Sequence, residues 1–150
     1  MGTYSTTLEI DAPPDRVFEH FVRPELLVRW MGDYAALDAQ PDGSFAVDIN
    51  GVIIRGHYLR VDRPGLIEIA WGEAGNPLMP PGATHLVIRL RERPGGTVLE
   101  LEHRGLLDAE AEKHAIGWPH FLERLGQVAI GRDPGPDPWF TAREPSAAGS

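Results

Sequence analysis

Apolar and polar residues alternate with period two over residues 6–10 and again, run after run, between residues 34 and 104. That alternation predicts strands whose successive side chains face opposite sides of a sheet. Asp42-Gly43, Asn50-Gly51, Pro64-Gly65 and Pro94-Gly95-Gly96 punctuate the runs, and such pairs turn one strand back on the next as consecutive hairpins. The predicted strands cover residues 6–10, 34–39, 43–49, 52–62, 65–71, 83–92 and 97–104. Two stretches change to helical spacing before the meander: residues 14–22, through Val17, Phe18, Phe21 and Val22, and a shorter one from Pro24 through Trp30 to about Gly32. Both open on proline, which the first helical turn tolerates. A third, longer helix follows the meander. Asp108 is its expected N-cap, and Ala111, His114, Trp118, Phe121, Leu122, Leu125, Val128 and Ala129 form its apolar stripe. Gly117 and Pro119 predict a bend around residues 115–119.

The order of elements predicts an α+β domain over residues 1–130, followed by a Pro/Gly-rich tail over residues 131–150. Trp139 and Phe140 are the tail's apolar residues and can dock on the domain, with the last ten residues mobile. Residues 72–82, rich in proline and glycine, are too long for a tight turn. They are either a surface loop or a segment that hangs Leu78 and Met79 over a cavity.

Composition narrows the partners. With 22 acidic and 14 basic side chains the formal charge is −8, and scattered positive charge of this kind gives no footprint for nucleic acid or an anionic membrane. The chain has no cysteine, so disulfides, thiolate zinc sites and cysteine nucleophiles are excluded. No run approaches the roughly 20 apolar residues that span a bilayer, and the N-terminus lacks a signal-like pattern. The expected location is the cytoplasm, as a monomer or homodimer.

Following the apolar phase of each strand gives an inward face. It holds Phe45, Val47 and Ile49, then Ile53, Arg55, His57, Leu59 and Val61, then Ile67, Ile69 and Trp71, then Leu86, Ile88 and Leu90, then Leu99, Leu101 and His103. Arg55, His57 and His103, with His114 from the long helix, are the polar members. A buried polar group without a partner costs about 1–3 kcal/mol, and a ligand can be that partner. A backbone carbonyl or a water can serve a histidine equally well, and an inverted register would put Arg55 outside. Trp71 and Trp118 can be core, ligand platform or both. Asp48, Glu68, Glu92, Glu100 and Glu102 fall on the outward phase, with His85, which leaves a histidine as the expected base if any chemistry occurs. No metal-binding histidine spacing, nucleophile elbow or phosphate loop is present. No cofactor and no metal are expected.

Ile10-Asp11-Ala12-Pro13-Pro14-Asp15-Arg16-Val17-Phe18 resembles the opening of START-related (SRPBCC) domains, and the helix ending at Gly32 resembles theirs. Gly56 to Pro64 followed by Leu66 to Trp71, Leu101 to Leu106, and Gly117 to Leu125 are similar to segments of the family named for the activator of the heat-shock protein 90 ATPase. The resemblance covers about residues 4–130. It implies a helix-grip fold: a curved antiparallel sheet of about seven strands wrapped around the long C-terminal helix, with two short helices after the first strand. It also implies an enclosed pocket between sheet and helix, to which Trp30, Arg55, His57, Trp71, Met79, His103, His114, Trp118 and Leu122 are assigned. Three functions follow from it. The first is binding of a small hydrophobic molecule, with an anionic or hydrogen-bonding group facing Arg55, His57 or His103. The second is cyclase or dehydratase chemistry on a pocket histidine, and the third is stimulation of a heat-shock ATPase as a protein partner.

Overall fold

The computed structural model describes residues 2–141. Seven strands, β1 (Gly2–Ile10), β2 (Tyr34–Leu37), β3 (Ser44–Ile49), β4 (Val52–Asp62), β5 (Leu66–Glu73), β6 (Thr84–Arg93) and β7 (Gly96–Leu106), form one antiparallel sheet in the order β1-β7-β6-β5-β4-β3-β2. Helices α1 (Pro14–Val22) and α2 (Pro24–Leu27) follow β1, α3 (Asp108–Ala129) follows β7, and a last short turn of helix is α4 (Pro138–Thr141). The curved sheet around α3 is the helix-grip fold. β1 begins four residues before the expected start because Gly2 to Ser5 pair with the end of β7, where the pattern is too polar to signal a strand.

Side chains of the sheet and the connecting turn tie the short helices down. Tyr58 donates its hydroxyl hydrogen to the Phe21 carbonyl at 2.9 Å, and Trp30 Nε1–H donates to the His20 carbonyl at 3.0 Å. Both carbonyls lie in the last turn of α1, where no intrahelical donor reaches them. Thr97 holds the Ala12 carbonyl at 2.6 Å just before α1. Across the sheet, α3 packs on β1, β7 and α1 and runs unbroken through Pro119.

The inward phase of β3, β5, β6 and β7 is as expected: Phe45, Val47, Ile67, Ile69, Trp71, Leu86, Ile88, Leu90, Leu99, Leu101 and His103 are all buried. β4 differs. Ile54 and Tyr58 are buried there, whereas Ile53 and Leu59 are exposed, so Arg55 and His57 lie on the outer phase. Two local features produce this. Asn50 and Gly51 have φ of 51° and 91°, the left-handed pair of a two-residue hairpin turn, which sets Val52 opposite Ile49 and on the same face. An irregularity between Tyr58 and Arg60 then inserts one extra residue, so Val61 returns to the core opposite Ile67. Gly56 is required between them, since a Cβ there would collide with the Ala70 carbonyl oxygen. Among the described residues no helix is long and apolar enough to cross a membrane.

Candidate functional site

A cavity of about 460 Å³ lies between the β3 to β5 end of the sheet and one face of α3. Its strand wall is Ile49, Val52, Ile54, Trp71 and Glu73, its helix wall is Glu110, Lys113, His114, Gly117, Trp118 and Phe121, and Met31, Asn50, Met79 and Trp139 complete it. Met79 is buried while Leu78 beside it is exposed, so the loop after β5 contributes one wall residue to the cavity. Val52, Trp139 and the Lys113 side chain are exposed and mark the mouth, so the pocket is open at one end. Gly117 faces open space, with nothing within 4 Å of where a Cβ would stand. The missing side chain on α3 is part of the cavity.

Behind the inner wall runs a directed chain of hydrogen bonds. Trp118 Nε1–H reaches His103 Nδ1 at 3.2 Å, His103 Nε2 lies 2.8 Å from Thr84 Oγ1, and Thr84 donates to the Trp71 carbonyl at 2.7 Å. An indole nitrogen only donates, so His103 accepts at Nδ1 and carries its proton on Nε2. Burial, followed by the fields of His114 and His85, pushes the His103 pKa down to about 3. His103 is thus a neutral pillar joining α3 to β6 and β7, and both of its nitrogens are occupied.

His114 is placed differently. Its Nδ1 donates to the Glu110 carbonyl at 2.7 Å, one helical turn back, which leaves the Nε2 lone pair as the ring's acceptor site. Burial lowers its pKa, against the pull of the Glu110 carbonyl and the Glu110 and Glu73 carboxylates. Glu110 is buried and bridged at 3.2 Å by exposed Lys113, and Glu73 accepts from Asn76 at 3.1 Å. The Trp71 Nε1–H is buried and has no hydrogen-bond partner. Among the described residues no cluster of three or more metal-ligating side chains forms.

Of the nine residues assigned to the pocket from sequence, Trp71, Met79, His114 and Trp118 line it. His103 stands directly behind, packed on Trp71, His114 and Trp118. Trp30 and Leu122 are buried in the core instead, Trp30 edge-on to Phe21 at 5.2 Å. Arg55 and His57 are corrected to the outer face by the register of β4, and Arg55 there bonds Asp48 at 2.8 Å. Three other acids read as outward are paired, Glu68 with His85 at 2.7 Å, Glu100 with Arg91 at 2.7 Å and Glu102 with Arg104. The expectation of no inward acid is also corrected, because Glu73 and Glu110 both reach the cavity. Their signals were present: Glu73 extends the phase of Ile67, Ile69 and Trp71 by one step, and Glu110 precedes His114 by four on the α3 stripe. Trp139 docks on α3, whereas the Phe140 side chain and residues 142–150, expected to be mobile, lie outside what the structure describes.

Comparison with known proteins supports the fold and extends it. No curated protein sequence matches the chain. The family model described as Activator of Hsp90 ATPase homolog 1-like protein matches residues 11–129. Among solved structures, an AHSA1-like protein from Rhizobium etli is 37% identical with a TM-score of 0.73, over 92% of this chain and 88% of that one. CalU16 from Micromonospora echinospora is 29% identical with a TM-score of 0.76, over 92% of this chain and 70% of that one. An HSP90 activator from Plasmodium falciparum, 21% identical with a TM-score of 0.73 over 86% of this chain and 96% of that one, shares the fold. A match running from the turn after β1 to the last residue of α3 establishes that this chain belongs to the Activator of Hsp90 ATPase homolog 1-like protein family, within the START-related superfamily.

Proposed function

We propose that the chain binds a small, mostly apolar molecule in the cavity under α3. The observation that carries this reading is a space of about 460 Å³ walled largely by aromatic and aliphatic side chains. Ligand pockets run from roughly 300 to 1,000 Å³ and combine apolar walls with a few polar groups. An anionic group is disfavoured: Arg55 is outside, Lys113 is held by Glu110, and Glu73 adds a second carboxylate. The ligand this favours is neutral. Ion pairs across the outer phase of β5, β6 and β7 favour the cavity over that face as the functional surface.

Titration with the neutral fluorophore N-phenyl-1-naphthylamine tests this reading. Saturable enhancement is expected for the native chain and its loss for Gly117→Leu, whose side chain grows into the cavity. Absence of saturation in the native chain, or unchanged binding by Gly117→Leu, would overturn it.

A second reading has its own observation. His114 is neutral near pH 7, with Nδ1–H tied to a carbonyl and Nε2 able to accept a proton at the cavity wall. That is the state required of a general base acting on a carbonyl compound held near Trp71. It predicts that native protein exchanges the α-hydrogens of a bound ketone with deuterated solvent, that His114→Gln does not, and that fluorophore binding is retained. Equal exchange by both proteins would exclude it.

A further inference from the structure

One wall of the cavity comes from neither the sheet nor α3. After α3 the chain turns back along the helix, and two α3 side chains, His120 and Arg124, hold it there. Arg124 Nη2 donates to the Gly135 carbonyl at 2.9 Å. His120 Nε2–H reaches both Asp137 oxygens, at 2.9 and 3.1 Å, and Arg124 Nε stands 3.9 Å from the same carboxylate. Asp137 also accepts from the Trp139 backbone N–H at 2.9 Å. The Asp137 and Arg124 side chains are only 8% and 13% exposed, so this clamp sits in partly dry surroundings, where charge-assisted bonds gain strength.

The clamp positions an aromatic ring. Trp139 stacks face to face on His120, with centroids 3.6 Å apart and planes 5° from parallel, and meets Phe121 edge-on at 5.6 Å. Its carbonyl accepts from Asn50 Nδ2 at 3.2 Å, which joins the segment to the turn between β3 and β4 on the opposite lip. Trp139 therefore bridges the mouth from α3 to the sheet while lining the cavity. Gly135, Asp137 and Trp139 lie beyond residue 129, where the family match ends, and the α3 side chains that hold them lie within it.

We propose that Trp139 is a ligand-contacting residue that narrows the cavity mouth, and that Asp137, through His120 and Arg124, is the positioning residue that holds it there. This rests on the cavity-binding reading. With Trp71, Trp118, Phe121 and Trp139 among the lining residues, the site favours planar, ring-bearing ligands, and contact with the positioned Trp139 ring slows their release.

Stopped-flow dissociation of N-phenyl-1-naphthylamine separates the two ideas. Trp139→Ala is expected to accelerate release about tenfold, near the upper end of what one aromatic contact contributes, while Trp139→Phe stays within about threefold of the native chain. Asp137→Ala should accelerate release similarly, and the double variant should add little to either change, as expected of two residues acting through one element. Circular dichroism identifies any variant that fails to fold; if Trp139→Ala does, Trp139→Leu replaces it with the same expectation. Native-like release from folded Trp139 variants, with binding still abolished by Gly117→Leu, would overturn the proposal while sparing the cavity reading. Failure of the native chain to bind the fluorophore would end both.

Discussion

Thr84 Oγ1 accepts a hydrogen bond from His103 Nε2–H and donates one to the Trp71 carbonyl, so three strands and, through His103, α3 meet at one hydroxyl. Replacing it with the isosteric valine keeps the volume but strands the imidazole N–H in a fully buried position. Thr84→Val should therefore destabilise the fold by about 1–3 kcal/mol, measured by urea unfolding at neutral pH. A ΔΔG indistinguishable from zero would mean that the chain does not support the wall. His103 was legible as inward-facing from its strand phase, but its role was not. Whether a buried histidine meets a ligand or a neighbour depends on which side chains other elements bring to it, and Trp118 arrives from a helix 15 residues away. The acids Glu73 and Glu110 were obscured for a related reason. Each lies one step past the apolar residues that define its element, where hydrophobic pattern stops being informative.

At the scale of elements, one hairpin decides the polar character of the cavity. Extrapolating the phase of β4 from Val61 brings Arg55 and His57 inward, and the extra residue between Tyr58 and Arg60 makes that extrapolation fail. The turn could have corrected it, since a two-residue Asn-Gly loop places its flanking residues on the same face, and Ile49 was read as inward. Turn geometry binds register more tightly than alternation does when a bulge intervenes. α3 carries the prediction at this scale. Gly117 weakens the helix interior, by about 1 kcal/mol relative to alanine, and leaves a hole under the sheet. Gly117→Leu should raise the melting temperature while removing fluorophore binding. A lowered melting temperature would mean that the leucine meets resistance the open space does not suggest. Stability and occupancy are opposed at this residue.

Over the whole molecule, architecture was the most legible property, because four turn signals and three changes of periodicity order the elements before any contact is known. The cavity was less so, since it is made where β3 to β5, α3 and the segment after α3 converge. The same convergence links acidity to stability. Burial lowers the pKa of His20, His103 and His114, the second to about 3. These rings stay neutral in the fold but take up protons in the unfolded chain below its pKa of about 6.5. The unfolded state then binds more protons, so stability falls as the pH drops below 6.5, with the His103 contribution continuing toward 3. Each such group adds a slope of at most about 1.4 kcal/mol per pH unit. Urea unfolding between pH 7 and pH 5 should show this loss, and a flat profile would contradict the neutral pillar.

The Trp71 and Trp118 rings lie 5.4 Å apart with planes tilted by 45° in the wall of the cavity. Two indoles so close and so oriented couple their electronic transitions, and the coupled pair has an optical activity that neither ring has alone. The protein consequently carries a label-free reporter at the place where a ligand would sit. A guest that shifts either ring by a few degrees would rewrite the ultraviolet dichroism, even a guest that is itself colourless and silent in fluorescence.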